Sequence, residues 1–96
     1  MAQNSILKLI QSNETTIKKY GVYRVGLFGS YSTGSETPKS DIDILVEFES
    51  GKKNFDNYMG LKFYLEDLFQ KKVDLVIKES IRPKLKDKIL KDVLYA

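Results

Sequence analysis

The sequence predicts an α/β domain in which a small mixed β-sheet of three to four strands is flanked by helices. Three observations carry this. Apolar residues alternate with period two in residues 23–28, 41–49 and 73–77, the pattern of half-buried strands. Between these segments and towards both ends they recur at helical spacing. The resulting order is α, β, short turn, β, α, β, α, which suits an α/β layer better than a sandwich or a bundle.

The first helix is expected over about residues 4–19, with Ile6, Leu7, Ile10 and Ile17 on its apolar side. Lys18 and Lys19 suit its last turn and Gly21 its end. A short strand, 23–28, stops at Gly29. Residues 31–33 make a single helical turn before Gly34, and 35–40, with Pro38, connect across the surface. The clearest strand follows at 41–49. One face carries Ile42, Ile44, Val46 and Phe48; the other begins with Asp41 and Asp43 and turns apolar at Leu45.

A turn at 50–53 leads to a second helix, whose expected buried set is Phe55, Tyr58, Met59, Leu65, Leu68 and Phe69. In the strand Val73–Ile77, Asp74 and Val76 share the face opposite Val73, Leu75 and Ile77. A last helix starts from Ser80 as N-cap, accepts Pro83 in its first turn and turns Ile81, Leu85, Ile89, Leu90, Val93 and Leu94 inward. The first two main strands are close enough to pair antiparallel. The third arrives by a helical crossover, with the helices expected on one side of the sheet.

Ninety-six residues suit a single domain, 1–96, with one modest core. With 42% hydrophobic and 30% charged residues the composition is that of an ordinary globular protein. No apolar run reaches the length of a membrane span and the N-terminus lacks a signal-peptide layout, so a cytoplasmic location without membrane contact is expected. The chain has no cysteine and no histidine. Thiolate or imidazole zinc sites, Ser-His-Asp triads and Cys-His pairs are therefore excluded within it.

What remains is carboxylate, hydroxyl, lysine and arginine chemistry, an inventory on which phosphoryl transfer can run. The net charge is +3, with Lys78, Arg82, Lys84, Lys86, Lys88 and Lys91 gathered near the C-terminus. This reads as the solvated face of an amphipathic helix, or as a contact surface for an acidic partner. Without interleaved aromatics it does not point to direct nucleic-acid binding.

The informative constellation is Phe28-Gly29-Ser30-Tyr31-Ser32-Thr33-Gly34 followed by Ser40-Asp41-Ile42-Asp43. Asp41 and Asp43 fall side by side on one face of a strand, and paired carboxylates suit a hard divalent cation. A glycine-serine turn beside them presents backbone N–H groups that suit a phosphate. Asp74 repeats the arrangement on the third strand, a carboxylate at the start of a face that becomes apolar deeper in. Aspartate is disfavoured in strands, and three on one sheet repel one another unless a cation lies between them.

Gly29-Ser30, Gly34 and Ser40-Asp41-Ile42-Asp43, with Asp74 on a later strand, resemble the nucleotidyltransferase superfamily of DNA polymerase beta. Within it the chain is similar to the minimal nucleotidyltransferases, antitoxins of HEPN ribonuclease toxins. The resemblance covers nearly the whole chain and implies a polymerase-beta-like nucleotidyltransferase fold. It implies that Gly29 and Ser30 hold the β- and γ-phosphates of ATP or another nucleoside triphosphate. Asp41 and Asp43 would ligate Mg²⁺, and Asp74 would complete a site for two ions and help activate an acceptor hydroxyl. Mn²⁺ is accepted by the same oxygen donors.

The resemblance further implies transfer of AMP to a tyrosine of a HEPN-domain toxin. Two other readings accompany it: an antitoxin that neutralises its toxin by binding alone, and a nucleotidyltransferase acting on an antibiotic. One departure stands out. Many relatives carry a basic residue just before the second glycine of the loop, where this chain has Thr33. After the third strand about one helix remains, too little for an acceptor-binding domain. The acceptor site is therefore expected to be open or completed by another protein.

Overall fold

A computed structural model describes residues 1–96. Four strands form one mixed sheet: β1 (Val22–Phe28), β2 (Ile42–Phe48), β3 (Val73–Ile77) and β4 (Leu94–Tyr95), in the order β3-β2-β1-β4. β1 pairs antiparallel with β2, placing Phe28 opposite Asp43. β2 pairs parallel with β3, placing Asp43 opposite Asp74. The parallel pair requires a crossover, supplied by α4 (Phe55–Phe69). α4 starts at Asn54, whose side chain accepts a hydrogen bond from the Asn57 N–H at 2.9 Å. Such a cap contributes about 1 kcal/mol.

The main core lies on one face of the sheet. Ile42, Ile44 and Val46 of β2 are fully enclosed there against Ile6, Ile10, Ile17, Leu61, Leu65 and Phe69. The period-two pattern of β2 thus turns one side into the core floor. Leu45 and Phe28 are buried as well but stand outside that cluster, on the opposite face with Asp43. Val93 packs there against Gly26, the partner of Leu45 across the β1–β2 ladder. The end of α5 (Pro83–Asp92) therefore lies on the second face, and the expectation of helices on one side alone is corrected.

Further expectations change. The first helix is not continuous but divides into α1 (Gln3–Ser12) and α2 (Glu14–Lys18). Asn13 leaves the helical conformation, donating its side-chain amide to the Leu9 carbonyl at 2.8 Å and accepting from the Tyr64 hydroxyl at 3.0 Å. Ser80 is not an N-cap. It ends a 3₁₀ turn, Lys78–Ser80, and α5 begins at Pro83 with Arg82 before it.

α5 buries no residue fully, and Leu85 is half exposed. The residues after it form β4 rather than a last helical turn, so Leu94 pairs with β1. Phe55, expected inside, is 76% exposed, whereas Leu61, absent from the expected buried set, is fully enclosed.

β3 is an edge strand whose outer backbone groups are partly occupied by α4. Glu66 accepts from the Val73 N–H at 3.0 Å, and the Tyr58 hydroxyl donates to the Leu75 carbonyl at 2.6 Å. Side chains eight positions apart on one helix thus hold successive outward-facing positions of the strand.

Candidate active site

The site is built where β1 ends and β2 and β3 begin. β1 terminates at Gly29, with φ 72° and ψ −150°, a region open essentially to glycine alone. The chain then makes the single turn α3 (Ser30–Thr33) and leaves through Gly34 in the left-handed region. The Gly29 carbonyl closes the turn. It accepts from the N–H groups of Ser32 and Thr33 at 3.1 and 3.2 Å and from the Ser32 hydroxyl at 3.0 Å. The amides of Ser30 and Tyr31 have no acceptor within the turn, as at any helix start, and are available to an anion.

Thr33, standing where a basic residue is common, bonds to Ser35 at 2.9 Å and to the Ser30 carbonyl at 3.3 Å. It fastens the turn rather than reaching for a ligand. From the other side Gln3 of α1 donates to the carbonyls of Tyr31 and Ser32 at 3.2 and 2.8 Å. The turn is thus held by its own hydroxyls and by the first helix.

Asp43 lies directly over Gly29. A β-carbon at residue 29 would overlap its Oδ2 and come within 2.9 Å of its Cγ. Asp41 is exposed, one residue before β2, while Asp43 is half-buried and Asp74 exposed opposite it on β3. Burial, with the negative charges of Asp74 and Asp41, pushes the Asp43 carboxyl up to about 6. Burial and then the Asp74 charge also raise the Tyr58 hydroxyl.

The structure therefore brings Gly29, Ser30, Asp43 and Asp74 into one row across β1, β2 and β3, with Asp41 at its margin. The three carboxylates do not converge into a cluster that could by itself hold a metal ion. Their chemistry fits a divalent cation: these are hard oxygen donors on adjacent strands, one of them with its proton affinity raised by burial and then by like charge, and a cation relieves the like-charge part.

The sequence reading did not single out a second feature of this face. Glu47, two positions beyond Leu45, pairs with Arg24 of β1 and with Lys78 at 3.6 Å. Arg24 also lies over the Tyr95 ring, 3.8 Å from its centroid. The alternation that places Asp43 also places Glu47, so its face was legible; its partners depend on the strand register and on β4.

Residues 9–96 match the nucleotidyltransferase domain family. The chain belongs to that family. Its fold is the family's mixed sheet flanked by helices, and the chain is that of a nucleotidyltransferase. A Methanocaldococcus jannaschii relative called "Putative protein adenylyltransferase MJ1379" is 41% identical over 95 residues, covering 96% of this chain and 95% of its own. Protein adenylyltransferase MntA of Thermococcus cleftensis is 38% identical over 78 residues, 81% of this chain and 78% of its own.

Among solved structures, one described as a "putative minimal nucleotidyltransferase" superposes with a TM-score of 0.84 at 29% identity, covering 98% of this chain and 95% of that one. A toxin-antitoxin complex with AMP-PNP gives 0.69 at 27% identity over 99% and 72%. An MNT antitoxin with a tri-AMPylated HEPN toxin of Shewanella oneidensis gives 0.59 at 26% identity over 97% and 66%. No helix of this chain is long and apolar enough to cross a membrane.

Proposed function

We propose that this nucleotidyltransferase moves AMP from ATP to a tyrosine hydroxyl of a HEPN ribonuclease toxin and acts as the antitoxin of that toxin. The observation that carries the reading is the row formed by the Gly29-Ser30 turn, Asp43 and Asp74. Relatives named as protein adenylyltransferases and the AMPylated toxin in a similar complex support the choice of acceptor.

The Gly29-Ser30 turn takes the β- and γ-phosphates on its free backbone N–H groups, and the rigid closure of the turn keeps those groups aimed. Asp41, Asp43 and Asp74 would hold two Mg²⁺ ions. When bound, these ions neutralise the triphosphate and stabilise charge on the entering and leaving oxygens. Asp74 orients the acceptor hydroxyl. The acceptor oxygen forms a bond to the α-phosphorus, and the bond from that phosphorus to the bridging oxygen breaks. Pyrophosphate leaves with the electron pair, and the hydroxyl proton passes by way of Asp74 to solvent.

The test uses the purified cognate toxin, Mg²⁺ and ATP labelled at either the α- or the γ-phosphorus. Label from the α-position appears on a toxin tyrosine and label from the γ-position does not. Label from neither, with intact carboxylates, would remove the enzymatic reading. In that event neutralisation by binding alone becomes the better account. The half-exposed Leu85, set among the lysines of α5, is a surface suited to it. An Asp41→Ala/Asp43→Ala double variant that still neutralises the toxin would then be expected.

A further inference from the structure

Asp41 is the one carboxylate of the site that no strand holds. It follows the connection 35–40 and precedes β2, so the ladder that sets Asp43 opposite Asp74 does not extend to it. The three carboxylates do not enclose an ion by themselves. Where Asp41 stands against the other two therefore decides how much order a cation has to impose when it binds.

Two anchors fix Asp41, and both lead to adjacent residues just before β3. On its C-terminal side the Ile42 N–H donates to the Lys72 carbonyl at 3.0 Å. On its N-terminal side residues 37–40 form a closed turn with Pro38 at its second position, where the fixed φ of proline is suited. The Ser40 N–H donates to the Thr37 carbonyl at 2.9 Å, and the Thr37 N–H to the Ser40 hydroxyl at 2.9 Å. The turn is thus a unit, and the Lys71 ammonium donates to its Pro38 carbonyl at 3.1 Å. The direction of Lys71 is set by Gln70, which ends α4 at a left-handed φ of 53°. Glu36 lines the same hollow, yet Lys71 forms no ion pair with it or with any other carboxylate.

We infer that Lys71 is a positioning residue for the metal site: it pins the 37–40 turn to the start of β3 and thereby holds Asp41 beside Asp43 and Asp74. The inference rests on the metal-binding role proposed for these carboxylates. Pro38 stands three residues before Asp41 and Lys71 three before Asp74, so one bond ties the two acidic segments together. The charge of Lys71 works in the other direction. An ammonium near the site repels a divalent cation, so its removal would by charge alone tighten metal binding. Loss of the tie frees Asp41 and weakens metal binding. The two roles predict opposite signs.

The test is binding of Mn²⁺ without nucleotide, read from paramagnetic broadening of amide signals in the isotopically labelled protein. Lys71→Met is a surface change and is expected to keep the urea midpoint of the parent. Its Mn²⁺ affinity is expected to fall about tenfold, as loss of the group that orients a metal ligand implies. Without metal, the heteronuclear NOE of Lys39, Ser40 and Asp41 is expected to drop in the same variant. Lys71→Arg, which keeps a donor for the carbonyl, should restore both readouts, and in an Asp41→Ala background Lys71→Met should have no further effect. Affinity unchanged or tighter in Lys71→Met, an NOE profile like the parent's, or an equal loss in the Asp41→Ala background would overturn the assignment. Asp43→Asn judges the metal reading separately. If the parent binds no Mn²⁺, or Asp43→Asn binds it as tightly as the parent, that reading fails and the metal role of Lys71 with it, while the NOE still decides whether Lys71 holds the turn.

Discussion

The carboxylate of Asp43 rests against the α-carbon of Gly29, in the space that any other residue at position 29 would need for its β-carbon. The end of one strand and the acidic face of the next are thereby a single packed unit. Gly29→Ala meets two obstacles, a backbone conformation closed to alanine and a collision with Asp43. A loss of about 1–3 kcal/mol in urea unfolding is expected. Nucleotidyl transfer should fall further than stability, because Asp43 has to turn away. An alanine variant with unchanged unfolding and unchanged transfer would show that the contact is dispensable.

The Asp43 carboxyl, raised to about 6, ties stability to pH. The folded protein binds a proton here more tightly than the unfolded chain does. Stability contributed by that proton is therefore present below the ordinary carboxylate range and is lost as pH rises towards about 6. Asp43 is only half-buried, so solvent screening limits the effect to the order of 1 kcal/mol. Asp43→Asn should be the more stable protein at neutral pH without metal and should flatten the slope between roughly pH 4 and 6. Urea midpoints across that range decide it; a slope unchanged in the variant would assign the titration elsewhere.

Nucleotide and metal are expected to stabilise the fold together. A ligand at a hundredfold excess over its Kd adds about 2.7 kcal/mol. For a chain of this size that is a rise of roughly 10–20 °C in Tm. The rise should need both ATP and Mg²⁺, vanish with a chelator, and be absent from Asp41→Ala/Asp43→Ala. An equal rise in the double variant would place the nucleotide away from the carboxylates.

Leu61 and Phe55 stand on the same helix and should respond oppositely to truncation. Leu61→Ala opens a cavity in the enclosed core and should cost about 2–5 kcal/mol. Phe55→Ser removes an exposed ring and should stay within about 0.5 kcal/mol of the parent. Chemical unfolding of the two variants side by side measures the contrast.

That contrast marks the limit of what the sequence displays. The alternation in β2 fixes which side is core, because a pleated strand has only two faces. The antiparallel β1–β2 pair and the crossover to β3 follow from connection lengths. Phe55 and Leu61 differ less in type than in place: both are apolar and both fit a helical period, and only the tilt of α4 against β3 separates them. Asn13 was similarly ambiguous. Its break of the first helix depends on Tyr64, distant in the chain. In the site, the acidic face of β2 and the glycine turn were legible residue by residue. The strand register that sets Asp43 opposite Asp74, and the bond from Lys71 to Pro38, exist only once the sheet is assembled.

The bonds that Glu66 and Tyr58 make to the rim of β3 bear on how an open sheet edge resists self-association. A bare edge strand offers its amides and carbonyls to any passing strand, and that is a common route to aggregation. Here the helix that carries the chain into β3 also occupies two of its outward groups, the Val73 N–H and the Leu75 carbonyl, so a foreign backbone meets an interrupted ladder. The enzyme can thus leave this rim of the sheet open without inviting its own copies to add strand upon strand.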